Sequence, residues 1–190
     1  TPHPGSSIGE QALVELLAAM LSTILQAELR ATEEARRAGK LEAEALTDAL
    51  TDLYNRRGWD RLLAAEEERC RRYGHPAAIL ITDFEELKQV NDSEGHAAGD
   101  AYIVRAAAAL RNAARSLDIV ARLGGDEFGI LSAECDRVSG EALLKRVRAA
   151  LAEANVKASI GLAMRDPSAG LRRAWDSAGR LMYEGKRSRA

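Results

Sequence analysis

The sequence predicts an α/β (α+β) domain, a mixed sheet flanked by helices, preceded by a long coiled-coil helix. Three observations predict it. From Ile8 to about Leu46 the chain has no proline and repeats its apolar residues every 3.5 positions. Beyond that stretch, short apolar runs alternate with amphipathic segments. Acidic residues stand where those apolar runs end.

The first element is the long helix. Alternating steps of four and three from Leu13 select Leu13, Leu17, Met20, Ile24, Ala27, Ala31, Glu34, Ala38, Leu41 and Ala45, nine of which are apolar. Glu, Gln, Arg, Ser and Thr fill much of the space between them. That is a coiled-coil seam over about four heptads, and at 1.5 Å per residue it reaches roughly 55–60 Å. The alternative, a long helix packed on its own domain, has no partner of matching length nearby in sequence. Ala27, Ala31 and Ala38 make the middle of the seam weak, and Gly39 adds a soft point. The expected division is therefore residues 1–47, a tail and coiled-coil helix that pairs two copies, and residues 48–190, one globular domain.

Arg57–Arg72 has an apolar stripe at Trp59, Leu62, Leu63 and Ala65 and stops at Tyr73-Gly74-His75-Pro76, which predicts an amphipathic helix. Ala77–Thr82 (AAILIT) predicts a buried strand that delivers Asp83 at its end. Gly99–Arg115 is alanine-rich with helical spacing. Ile119–Leu123 and Phe128–Leu131 flank Gly124-Gly125-Asp126-Glu127 and read as a hairpin. Glu141–Ala154 reads as a helix, Val156–Ala163 as an alternating strand and Leu171–Lys186 as a last helix.

Composition narrows the function. With 46% hydrophobic and 29% charged residues in 190, the chain can bury a core. Its net charge is −2, with −3 in residues 1–47 and +1 in the rest, so neither part is a basic arm for nucleic acid. No apolar run reaches the ~18–20 residues of a membrane span; the most apolar, Ala12–Leu21, carries Glu15. Cys70 and Cys135 lie 65 positions apart, and His3, His75 and His96 are scattered, which excludes a disulfide framework and a Cys/His zinc site. The opening TPHPGSS lacks the regions of a signal peptide, so a reducing cytoplasm is the expected compartment.

The chemistry lies with the acids. Asp83 ends a strand, and Asp126 and Glu127 stand in a glycine hairpin. Carboxylates there are partly desolvated and repel one another unless a cation joins them. Two hard carboxylates on neighbouring strands suit Mg²⁺, which takes one or two carboxylates plus phosphate oxygens. Taken singly, Asp83 could equally cap a helix and Asp126 serve a turn. Asn91, Asp92, Gly95, His96, Gly99 and Asp100 crowd into ten positions just downstream. Such Asn and Asp side chains can read the edge of guanine, or simply make a polar loop with caps. No P-loop sequence is present, and the available cations are Lys88, Lys186, Arg187 and Arg189.

Leu123-Gly124-Gly125-Asp126-Glu127-Phe128 resembles the signature of the GGDEF family, the bacterial diguanylate cyclases. Four further segments resemble the family in order. Asp48–Arg57 (DALTDLYNRR) is similar to its opening D-x-L-T-G-L-x-N-R-R. Asp83–Asp92 (DFEELKQVND), followed by Gly95-His96 and Gly99-Asp100, is similar to D-x-D-x-F-K-x-I-N-D-x-x-G-H-x-x-G-D. Ala158–Gly161 resembles the late strand, and Met182–Lys186 the Y-x-A-K of the last helix. The likeness covers residues 48 to about 187.

The resemblance implies a fold like the palm of nucleotidyl cyclases and polymerases. It implies condensation of two GTP into cyclic di-GMP and two pyrophosphates at the interface of two domains. Asp83 and Glu127, with Asp126, would hold two Mg²⁺ per site, with Mn²⁺ as a substitute. Asn91 and Asp100 would recognise guanine, Lys88 and Lys186 would neutralise the β- and γ-phosphates, and Gly124 and Gly125 would let the backbone approach the nucleotide. Arg115-Ser116-Leu117-Asp118 resembles the family's RxxD, the product-inhibition site for cyclic di-GMP; taken alone it reads as a helix-end salt bridge. The coiled coil would set the distance and orientation of the two half-sites. Departures are Asp52 in place of glycine, Glu85 and Leu87 in the second motif, Gly179, and a shortened Lys186–Ala190 tail. A degenerate module that only binds GTP or cyclic di-GMP, or one that mainly dimerises, is the alternative.

Overall fold

The computed structural model describes residues 6–188, and within its first helix not every side chain. The opening tail, Arg189 and Ala190, and the side chains of the seam positions Leu17, Ala38 and Leu41 lie outside the described residues.

Helix α1 (Ser6–Leu46) is continuous through Gly39. Leu13, Leu16, Met20, Leu21, Ile24, Leu25 and Leu29 along it are all more than half exposed, and Leu46 at its end is half-buried. The chain separates between Glu44 and Ala45 into this helix and a compact domain.

The domain runs α2 (Arg56–Tyr73), β1 (Ala77–Phe84), α3 (Leu87–Glu94), α4 (His96–Ala113), β2 (Ile119–Arg122), β3 (Glu127–Ala133), α5 (Arg137–Glu153), β4 (Ala158–Met164) and α6 (Gly170–Arg187). Asn55 starts α2 by accepting from Gly58 N–H at 2.9 Å, and its Nδ2 donates to the carbonyls of Ala45 and Thr47. Gly74, at φ +72°, ends the helix in the left-handed conformation that glycine adopts without strain.

The strand order is β2-β3-β1-β4, and every neighbouring pair is antiparallel. The alternating elements predict a mixed sheet; among the described residues the one parallel contact is the isolated bridge of Tyr54 with Ala121. The reason is interleaving. The crossover from β1 to β2 and that from β3 to β4 each join parallel strands, but β3 lies between the first pair and β1 between the second. This is the split βαβ arrangement of ferredoxin-like folds. Helix α3 is an element that the apolar pattern does not predict, because its eight residues hold only Leu87 and Val90 as large apolar anchors.

Each sheet face buries its own core. On one, Leu80, Phe84, Phe128 and Ile130 pack with Tyr102, Ile103, Leu110, Leu143 and Val147 of α4 and α5. On the other, Ile79, Ile81 and Leu131 pack with Trp59 and Leu63 of α2 and Leu171, Trp175 and Met182 of α6. The period of two along β1 thus assigns odd residues to α2 and α6, and even residues to α4 and α5. Polar ties lock α6 in place: Glu67 accepts from Arg165 at 2.7 and 2.9 Å and from Leu171 N–H at 2.7 Å.

Asp52 sits at φ +56°, a left-handed conformation that costs a residue with a Cβ about 1 kcal/mol. Glycine, which the resembled motif has at this position, would adopt that conformation without strain. Asp52→Gly is expected to raise stability by up to ~1 kcal/mol, read as a higher midpoint in urea at unchanged slope. A lower midpoint would show that the Asp52 side chain makes up for its backbone.

Candidate active site

The site is built around the end of the central strand pair. Asp83 on β1 stands directly opposite Glu127 on β3. Asp83 shares its face with Ile79 and Ile81, and Glu127 shares it with Gly129 and Leu131, so both carboxylates project on the α2/α6 side. Asp83 is therefore a strand residue and not a helix cap. Like charges directly opposite each other destabilise an antiparallel pair. Burial pushes the Glu127 carboxyl above its ordinary value; Arg56 works against that shift, and the neighbouring Asp83 and Asp126 add to it. Asp126 lies in the connecting turn, and its carbonyl accepts from Phe84 N–H at 3.1 Å.

Helix α6 crosses this face, and Lys186 in its last turn reaches Asp83: Nζ to Oδ1 is 2.5 Å. That hydrogen bond holds the Lys186 ammonium above its usual pKa. Glu85, the second acid of its motif, instead accepts from Ser159 Oγ at 2.6 Å, and Glu86 pairs with Lys157. Among the described residues no three His, Cys, Asp or Glu side chains form a ready-made metal cage. The donor set nevertheless fits Mg²⁺: the carboxylates are hard and mutually repelling, and Mg²⁺ needs only one or two of them besides phosphate and water.

The glycines divide into two kinds. Gly99 is required by packing, since a Cβ there would collide with the Asn91 amide oxygen. Asn91 on α3 thus lies against α4 at Gly99, the residue before Asp100, which is exposed. Gly124 and Gly125 are not required by the fold. Neither has a positive φ, and a Cβ would meet nothing nearer than 3.9 Å at Gly124 and nothing within 4 Å at Gly125. Lys88 is exposed at the second position of α3.

Two residues that sequence reasoning missed hold the turn. Arg122 donates to the carbonyls of Gly124 and Gly125 at 3.0–3.3 Å and to the Asp48 carboxylate at 3.3 Å. Burial opposes ionisation of Asp48, but the Thr51 hydroxyl and Arg122 together hold its carboxyl below the usual range. The sequence signals are Arg122 two positions before the glycines and Asp48 at the head of the opening motif, and neither shows that the two meet. Arg115 and Asp118 lie away from the acids at the start of β2. Asp118 accepts from Arg115 backbone N–H at 2.7 Å and from Ser132 Oγ at 2.6 Å, so the expected tie is made by the backbone and the Arg115 side chain stays exposed.

An antiparallel βαββαβ sheet with opposed carboxylates at the end of its central strand pair is the palm-like architecture that the resemblance implied. The family model described as "Diguanylate cyclase, GGDEF domain" matches residues 45–190, and the chain belongs to that family. It is 31% identical over 167 residues to "Probable diguanylate cyclase DgcC" of Escherichia coli K12, covering 83% of this chain and 45% of the relative. It is 39% identical over 109 residues to "Diguanylate cyclase DgcP" of Pseudomonas aeruginosa, covering 57% of this chain and 16% of the relative. The chain thus spans less than half the length of these curated relatives. Among solved structures, diguanylate cyclase SiaD of P. aeruginosa, in complex with its activator SiaC, superposes with a TM-score of 0.73 at 28% identity, over 96% of this chain and 78% of that one. The coiled coil and GGDEF domain of DgcB from Caulobacter crescentus, in complex with c-di-GMP, shares the fold at TM-score 0.81 and 21% identity, over 90% and 95% of the two chains. No described helix is long and apolar enough to cross a membrane.

Proposed function

We propose that the domain is a Mg²⁺-dependent diguanylate cyclase that condenses two GTP into cyclic di-GMP across two facing copies. The observation that carries this reading is the apposition of Asp83 and Glu127, which the sheet itself disfavours. Membership in the family and the names of its relatives support it.

In this reading Asp83 and Glu127, with Asp126, hold the metal. Bound there, Mg²⁺ would polarise the α-phosphate, lower the pKa of the 3′-hydroxyl and stabilise the leaving pyrophosphate. Asn91 and Asp100 read the guanine edge, and Lys88 and Lys186 face the β- and γ-phosphates. Gly124 and Gly125 leave room for the nucleotide, which accounts for glycines that the fold does not need. Each 3′-oxygen attacks the α-phosphorus of the other GTP. Two phosphodiester bonds form, two phosphoanhydride bonds break, and two pyrophosphates depart. One domain supplies one half-site, so α1 pairs two copies through its exposed Leu13, Met20 and Ile24. Cyclic di-GMP binds back at Arg115 and Asp118 and restrains the enzyme. A cytoplasmic location fits GTP as substrate.

The test is incubation with GTP and Mg²⁺ at several protein concentrations, with the nucleotides separated by chromatography. The expected result is cyclic di-GMP at a rate that rises faster than linearly with protein and is lost with chelator. No product at any concentration would overturn the reading in favour of a nucleotide-binding module.

A further inference from the structure

Lys186 is shared between Asp83 and an incoming triphosphate, which leaves the site short of positive charge on the α2 side. Arg56 stands there, at the first residue of α2. Its guanidinium lies 4.5 Å over the ring of Trp175, whose other guanidinium neighbour is Arg172 at 4.6 Å. Trp175 meets Trp59 edge to face at 5.7 Å. Trp59 in turn fills the space over Gly129, two residues along β3 from Glu127 and on the same face. A chain of direct contacts thus puts Arg56 on the sheet face that carries the acids.

Arg56 is held loosely. Its carboxylate partner, Asp60, is 3.6 Å away, and both side chains are about half exposed (50% and 51%), the kind of pair that contributes little. A cleft of about 490 Å³ between α2 and α6, floored by Leu63, Ala64 and Leu171, opens beside it and gives the side chain room to move. A guanidinium offers a planar fork of donors suited to phosphate oxygens.

We propose that Arg56 is a substrate-binding residue of the half-site, swinging from the Trp175 ring to the terminal phosphates of the nucleotide, with Trp175 as its resting platform. Arg172 has the same ring but stands on α6 and stays structural. The proposal rests on the reading of the site as a GTP site.

Calorimetric titration of the full chain with 3′-deoxy-GTP and 3′-deoxy-GMP in Mg²⁺ tests it, because neither ligand carries the attacking hydroxyl. Arg56→Ala is expected to weaken 3′-deoxy-GTP at least ten-fold and 3′-deoxy-GMP less than two-fold. Arg56→Lys should recover part of the loss, and Arg172→Ala should change neither. Equal weakening of both ligands by Arg56→Ala, or of neither, overturns the role of Arg56 while leaving the GTP site standing. Failure of the wild type to bind 3′-deoxy-GTP overturns both. Arg56→Gln, which keeps a planar group on Trp175, should reproduce the selective loss if the alanine variant is poorly folded.

Discussion

Glu127→Gln is expected to lose at least about a thousand-fold of GTP turnover, roughly 4 kcal/mol of barrier, while folding more stably than the wild type at neutral pH. The amide keeps the shape but removes the charge that would hold Mg²⁺ and polarise the α-phosphate. Stability moves the other way because the variant removes a charge set opposite Asp83, a repulsion of ~0.5 kcal/mol. The pH dependence follows from the direction of the shift. A carboxyl raised in the folded state binds its proton more tightly there than in the unfolded chain. Its ionisation therefore costs stability above the ordinary value of 4.5, and the cost disappears as pH falls through that range. The melting temperature of the variant should exceed that of the wild type at pH 7–8 and converge on it near pH 4. Retained turnover would remove Glu127 from the metal site. A less stable variant would show that the carboxylate makes a compensating contact.

Gly161→Ala is expected to be the most damaging single methyl in the domain. A Cβ there would run into the Ala178 carbonyl and approach Met182 N at 2.5 Å, so both obstacles are the backbone of α6 and neither can rotate away. The helix must lift from β4, at a cost of about 3 kcal/mol or more, or ~10 °C in melting temperature for a domain of this size. Because α6 carries Lys186, the shift also draws the ammonium from Asp83, and activity should fall further than stability predicts. Gly185→Ala is the control, since a Cβ there meets nothing within 4 Å and alanine favours the helix. Similar melting temperatures for Gly161→Ala and wild type would mean that α6 packs less tightly on β4 than the backbone distances imply.

Much of this was legible in the sequence. AAILIT and the hairpin around Gly124 and Gly125 placed the strands that carry Asp83 and Glu127, because apolar runs bounded by turn residues leave little choice. Sheet direction was not legible, since interleaving the two crossovers is a long-range property that no local pattern encodes. Helix α3 was missed because Leu87 and Val90 are too few to show a period. The Asp48–Arg122 tie joins residues 74 positions apart, and neither side chain announces its partner. On α1 the exposed apolar side chains spread beyond the heptad positions to Leu16, Leu21, Leu25 and Leu29, a width that the heptad reading does not contain.

Interleaving also sets the order in which the site can come into being. Asp83 and Glu127 meet only when β1 finds β3, after a loop holding α3, α4 and β2 has closed, and such non-local pairings form late. Lys186 arrives later still, on α6, which follows all four strands in the chain. Until then three acids crowd one edge of the nascent sheet with no lysine to balance them. If the site takes GTP as proposed, a chain still being synthesised would be a poor trap for it, and capture would switch on only when the final turn of α6 has docked.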